Sequence, residues 1–433
     1  MSSDNVPTAV PPPGAPADRA RYFEVLRIGE FRAIFVANIV SMLGTVMAAV
    51  VLTVLVYDKT RAPALAAAVM AISFLPYAIG GALFGAAADR LPPRRVLVIC
   101  DLASGLLVGC MVIPGVPVIG LLGLLLGTTL IAPVYQAVRS ALMPDVLPPG
   151  PPYILGRSMM RMVAQSVQIA GYGAGGLLLA VLSPRGALAA DALSFAASAV
   201  LMRTGIRRRP ARAAKQGSMA HDSLASLRRV LAYPPTRRIL LFTWLIPACE
   251  VAPEALAAPY AVHIGQPTRA IGFLLAALPV GTVLADALVA RLLPARLQRL
   301  IMLPAALLIF VPMTLFAASP RLPVAIALLV ICGLGSSWAA GIDGLILEAT
   351  PPDLRRRTLA VMGAGLMFVQ GAGFALWGTV GQFVPVTVVI PVAAGVGVVL
   401  AFILRPNRAT RSRPPGAAED AVPVIQAKLP TRL

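Results

Sequence analysis

The chain has 433 residues, 58% hydrophobic and only 13% charged, with a mean hydropathy of +0.82 and a formal net charge of +19. A water-soluble domain needs far more polar surface to cover its core, and a disordered chain is far less apolar, so both are excluded outside the ends. One membrane-spanning helix takes roughly 20 apolar residues, which leaves room for about a dozen spans joined by short loops.

Residues 1–30 are polar and rich in proline (Pro11-Pro12-Pro13) and read as a disordered tail. They hold no apolar core of a cleavable signal, so the first hydrophobic run is expected to act as its own insertion signal. Apolar runs predict helices near 33–57, 65–88, 96–114, 117–138, 159–182 and 186–203. A basic segment follows over 207–237, with Arg207-Arg208-Arg209, Lys215, His221 and an amphipathic stretch from Ser223 to Val230. A second set of helices is expected near 238–261, 270–291, 299–317, 322–349, 358–381 and 384–404, and a polar tail covers 406–433.

The fold class is therefore an all-α polytopic membrane protein. Twelve transmembrane helices form two pseudo-symmetric six-helix bundles, 31–206 and 238–405, joined by a cytoplasmic linker. Six plus six around a basic linker is the layout of a two-bundle transporter. The halves also repeat locally. Arg157 and Arg357 open spans five and eleven, Gly171-Tyr-Gly173 and Gly371-Ala-Gly373 follow at one offset, and Pro144-Asp145 and Pro352-Asp353 precede them.

The basic residues set the orientation. With the N-terminus in the cytoplasm, 32 of the 37 lie on that side and 5 on the other. That asymmetry puts both termini in the cytoplasm and requires an even number of spans. It also accounts for the net charge without a nucleic-acid partner. Of the 37, 34 are arginine, which fits a high-GC bacterial source and hence the inner membrane. Cys100, Cys110, Cys249 and Cys332 sit in apolar runs without a CxxC pair, and His221 and His263 are isolated. No metal, no cofactor, no disulfide framework and no enzymatic triad is implied. A phosphate-binding Gly-x-x-x-x-Gly-Lys-Ser/Thr loop is missing, so ATP-driven transport is not expected.

The loop after span two reads Gly85-Ala-Ala-Ala-Asp89-Arg90-Leu-Pro-Pro-Arg94-Arg95. It resembles the loop signature of the major facilitator superfamily, Gly-x-x-x-Asp-Arg-x-Gly-Arg-Arg, with Pro92-Pro93 where Gly-Arg usually stands. The resemblance implies a cytoplasmic gate: Gly85 for close helix approach, Asp89 at a helix end, and Arg90, Arg94 and Arg95 at the headgroups. Glu30-Phe31-Arg32, Ser41-Met-Leu-Gly44, Leu55-Val-Tyr57-Asp58-Lys-Thr60, Phe74-Leu75-Pro76, Val96-Leu-Val-Ile-Cys-Asp101-Leu102 and Asp191-Ala-Leu-Ser-Phe195 resemble one branch of that superfamily. The branch holds bacterial macrolide-efflux proteins and the enterobactin exporter. The likeness is good over spans one to six and loose beyond. Thr45 stands where the branch often has an acid, and Ser104-Gly105 where it has an arginine. In span five, Gly171-Tyr172-Gly173-Ala174-Gly175-Gly176 is similar to the superfamily's antiporter motif, with Tyr172 replacing proline. Gly171, Gly175 and Gly176 would then form an antiporter-type close-packing seam.

Ionisable residues at membrane depth default to function. Span seven carries Glu250 and Glu254 with Pro247 and Pro253. At i, i+4 the two carboxylates share a helix face near the midplane, where two adjacent acids suit a proton carrier. The alternative is one glutamate neutralised by an arginine from another span. Asp343 of span ten, opposite Tyr135, Gln136 and Arg139 of span four, is expected in a polar patch of the substrate cavity. Gln165, Gln168 and Gln370 are uncharged candidates for substrate contact. Asp101 and Asp191 read as structural, Asp286 as paired with Arg291, and Glu348 as paired with Arg355 to Arg357.

These readings imply a monomeric secondary transporter whose partners are a small-molecule substrate, protons and membrane lipids. The favoured activity is proton-coupled antiport, exporting a small hydrophobic or amphipathic compound such as a drug, antibiotic or siderophore-like metabolite. The alternatives are an uptake or facilitated-diffusion carrier of the same fold, and an uncoupled lipid-handling or sensor protein.

Overall fold

A computed structural model describes residues 23–88, 92–210, 227–267, 269–292, 294–351 and 354–405. Among them are twelve helical passes and no β-strand. The first six are continuous helices: α1 (Gly29–Thr60), α2 (Pro63–Ala88), α3 (Pro93–Val112), α4 (Val118–Val146), α5 (Pro151–Val181) and α6 (Pro184–Gly205). Their ends follow local rules. Proline occupies the first turn of α3, α5 and α6, where its missing N–H costs nothing. Ser183 caps α6 by accepting a hydrogen bond from the Gly186 N–H at 3.2 Å. Arg61 ends α1 in the left-handed conformation at φ 52°, its N–H bonded to the Tyr57 carbonyl.

The last six passes are more broken. Span seven comprises α7 (Pro234–Glu250), α8 (Ala252–Ala255) and α9 (Ala257–His263), with a 41° bend before α9. Span eight is α10 (Arg269–Leu292). Span nine joins α11 (Ala295–Leu300) and α12 (Met302–Thr314) to a 3₁₀ turn, Leu315–Ala318. Span ten joins α13 (Leu322–Gly335), a 3₁₀ turn at Ser336–Gly341 and α14 (Ile342–Ala349). Spans eleven and twelve are α15 (Arg355–Phe383) and α16 (Val386–Leu404). Eight helices are individually long and apolar enough to cross a membrane, or nine with the bent span seven. Shorter apolar helices at Pro63–Pro76 and Met302–Ala318 belong to two further passes.

The halves meet along two seams. α2 packs on α15, with Phe74 and Phe374 stacked at 5.4 Å, and α5 packs on α10. One apolar core runs through both seams, joining Val50, Met70 and Tyr172 to Leu274 and Phe374. Two smaller cores lie within the first half, around Phe31 and Leu97 and around Leu52 and Phe195. Outward faces are apolar as well. On α16, Val388, Val392, Val399, Phe402 and Ile403 are exposed, as a lipid-facing surface requires.

Candidate functional site

A cavity of about 340 Å³ lies inside the first half, walled by all six of its helices and by Met367 of α15. Its lining is mostly apolar and includes Met42, Met70, Phe74 and Phe195. Such a chamber suits a small, largely apolar ligand.

Two carboxylates stand in this wall, Asp101 of α3 and Asp191 of α6, only 2% and 3% exposed. Asp101 accepts a hydrogen bond from the Ser198 hydroxyl at 2.7 Å, and Asp191 one from Ser194 at 3.2 Å. Asp191, Ser194 and Ser198 follow i, i+3, i+7 spacing, so α6 presents one polar stripe toward its neighbours. Both acids read as structural from sequence, yet both belong to the cavity wall. The signal was the serine spacing on an otherwise apolar helix.

Tyr135, Gln136 and Gln168 also line the cavity. The Tyr135 hydroxyl is buried without a hydrogen-bond partner among the described residues and lies in the field of Asp101. Arg139 is half-buried one turn away, with its guanidinium 5.9 Å from the Tyr135 ring centroid and a hydrogen bond to the Gln136 side chain. Gln370 is half-buried on α15, one turn from the cavity-lining Met367 but not itself in the lining. Gln165 and Asp343 fall on α5 and α14, but their side chains lie outside the described residues, as does that of Arg291. Asp286 and Glu348 are exposed.

Span seven brings the second acidic pair. Glu250 ends α7, is 7% exposed, and accepts a hydrogen bond from the Ser336 hydroxyl at 2.7 Å. Thr282 donates in turn to Ser336 at 3.4 Å. Glu254 is half-buried on α8 and lies in the field of Glu250. A turn at Val251 separates the two acids, but the i to i−4 bonds from the Val251 N–H to Pro247 and from the Ala255 N–H to Val251 carry across it, and the 41° bend falls beyond both acids, at Leu256. Proline explains the breaks: Pro253 has no N–H for the Cys249 carbonyl, and Pro259 none for the Ala255 carbonyl. Among the described residues neither glutamate has an ion-pair partner; the recorded ion pairs there join Glu30 to Arg207 and Arg209.

Tyr172 bridges the two regions. It lines the cavity, as Gln168 does one turn away, and lies in the field of Glu254. Around it the span-five glycines pack closely. A Cβ on Gly171 would sit 2.7 Å from Val46, and one on Gly175 would sit 3.0 Å from Val50, so both seat α5 on α1. Gly176 instead meets Gly272 of α10 across the halves. Of the loop after span two, Gly85 falls near the end of α2 and Arg94 and Arg95 in the first turn of α3, half-buried and exposed; Asp89 and Arg90 lie outside the described residues.

Comparison with known proteins agrees with this architecture. The chain is 29% identical over 304 residues to the multidrug efflux pump Tap of Mycolicibacterium fortuitum, covering 67% of this chain and 74% of that protein. The fold matches a crystal structure of a POT family transporter in complex with a thioalcohol-conjugated peptide, with TM-score 0.68 and 10% identity over 86% of this chain and 95% of the other. It also matches a bacterial homologue of the human lysosomal transporter Spinster in an inward-facing, unoccupied conformation, with TM-score 0.64 and 14% identity over 93% and 100%. The family model described as Major Facilitator Superfamily matches residues 34–342, and the chain belongs to that family of membrane transporters.

Proposed function

We propose that the protein exports a small hydrophobic or amphipathic compound in exchange for protons. In this reading the bundles 31–206 and 238–405 rock against one another, with both termini in the cytoplasm of a bacterial cell. The observation that carries it is the Glu250–Glu254 pair. Two neighbouring acids, Glu250 buried with a hydroxyl partner and Glu254 half-buried, with no cationic partner among the described residues, suit taking up and releasing a proton, since both bearing charge together is costly in low dielectric. One proton moving down 100 mV supplies about 2.3 kcal/mol, enough for modest accumulation.

Tyr172 offers the coupling path. A proton on Glu254 changes the field at the phenol, and the phenol borders the space the substrate fills. Proton and substrate thereby each alter the free energy of holding the other. The similarity to Tap supports the export direction.

The test is accumulation of fluorescent hydrophobic compounds in a bacterial host lacking its own pumps. Expression of the chain should lower accumulation, a protonophore should restore it, and Glu250→Gln with Glu254→Gln should behave as the empty host. Raised accumulation on expression would instead indicate uptake and overturn the export reading.

A further inference from the structure

We propose that Asp101 and Asp191 make the first-half cavity a binding site for a lipophilic cation. The reading rests on this cavity being where substrate binds, and it names the substrate's charge. Three observations meet here.

The first is burial without charge compensation. Both carboxylates are more than nine-tenths buried, and each receives a neutral serine hydroxyl. A hydroxyl satisfies one lone pair but supplies no counter-charge. The second is the composition of the wall. Among the described residues that line the cavity none is lysine, arginine or histidine. Arg139, one turn from Tyr135, is itself engaged by Gln136 and the Tyr135 ring. The third is the remaining lining. Phe74, Tyr135, Tyr172 and Phe195 place aromatic rings around the same space, and aromatic faces attract cations while accepting apolar groups.

A ligand with an apolar body and a delocalised positive charge satisfies all three. Its body replaces water against methionine and phenylalanine, and its charge supplies what Asp101 and Asp191 lack. An anion of the same shape meets two acids and no base. A neutral isostere gains the apolar contact alone. These acids are also separate from the proton-carrying pair, since they sit on spans three and six and the pair on span seven.

The acids have a structural alternative. Asp101 and Ser198 tie α3 to α6, and a Cβ on Gly44 would stand 2.3 Å from an Asp191 carboxylate oxygen, so the acid is packed tightly on α1. A purely structural role affects stability but not the preference of the cavity for one charge over the other.

The experiment is equilibrium binding to the purified full chain in detergent, without any gradient, using tetraphenylphosphonium and its size-matched anion tetraphenylborate. Thermal unfolding of each variant is measured alongside. The wild type should bind the cation at least tenfold more tightly than the anion. Asp101→Asn and Asp191→Asn should each weaken the cation at least tenfold without strengthening protein unfolding by heat, and Asp101→Glu should recover part of the loss. Equal binding of both ions, no binding of the cation, or variants that unfold early yet keep the charge preference would each overturn the proposal. Because the assay reads binding without transport, its failure leaves the export reading standing, and failure of export leaves this result standing.

Discussion

A Cβ built on Gly272 of span eight would lie 2.5 Å from the Cα of Gly176 of span five, so the two halves touch there backbone to backbone. Gly378 of α15 is equally tight, its Cβ position 2.2 Å from that of Ala67 on α2. Both contacts lie at the end of the bundle remote from the chain termini. Small residues allow this approach, and packing is what holds helices together once lipid removes the hydrophobic drive. The two halves are thus in direct contact at that end.

Gly272→Val removes this contact without touching the cavity. We expect transport to fall at least tenfold while the protein still purifies as a folded species. A cysteine placed at Thr128 in the cavity wall should then react faster with a membrane-impermeant thiol reagent applied from the far side. Unchanged reactivity together with lost transport would disconnect this contact from the opening of that end.

Tyr172→Phe keeps the ring in the cavity wall and removes the hydroxyl that lies in the field of Glu254. Substrate binding should change less than threefold, whereas the number of protons exchanged per substrate should fall. Parallel measurement of labelled-substrate flux and proton flux checks this. A variant that retains full stoichiometry rules the phenol out as the coupling path.

Ser336→Ala removes the hydroxyl that donates to Glu250 at 2.7 Å. A hydrogen bond to a charged group contributes about 1.5–3 kcal/mol. The expected result is a transport rate reduced severalfold with a displaced pH profile, and Ser336→Thr should restore both. Glu250→Gln combined with Ser336→Ala should show no further loss, because the two act as one unit.

Glu30 accepts the Arg207 N–H at 2.8 Å and the Arg209 guanidinium at 2.6 Å, and Arg209 also donates to the Asp145 carbonyl at 3.1 Å. These bonds tie the start of the linker to spans one and four. Glu30→Ala should lower the melting temperature of the purified protein by a few degrees, with most of the loss arising at Arg209 because Arg207 is solvent-exposed. High salt should shrink the difference between variant and wild type.

The number and order of the passes were legible in the sequence because each is a predominantly apolar run bounded by proline, glycine or arginine. The breaks were less so. Pro253 marked the break at Val251 in span seven, but the 3₁₀ turn at Ser336–Gly341 carries no proline to mark it. Tyr135, Gln136 and Gln168 were found because polar groups are rare at that depth. The place of Asp101 was not, since its partner Ser198 is 97 residues away and the cavity exists only once spans three, four and six assemble. Likewise the sequence shows Glu250 and Glu254 four residues apart, but Ser336 and Tyr172 join them only through packing of other spans.

The central claim is that substrate movement is tied to protons through Glu250 and Glu254. Its most direct test is proton release from inside-out vesicles carrying the protein, with an acidic interior and candidate compounds added one at a time. The account predicts compound-dependent proton efflux in wild type that disappears in Glu250→Gln and in Glu254→Gln. Efflux that persists in both variants, or labelled compound that equilibrates with no proton movement, would contradict it.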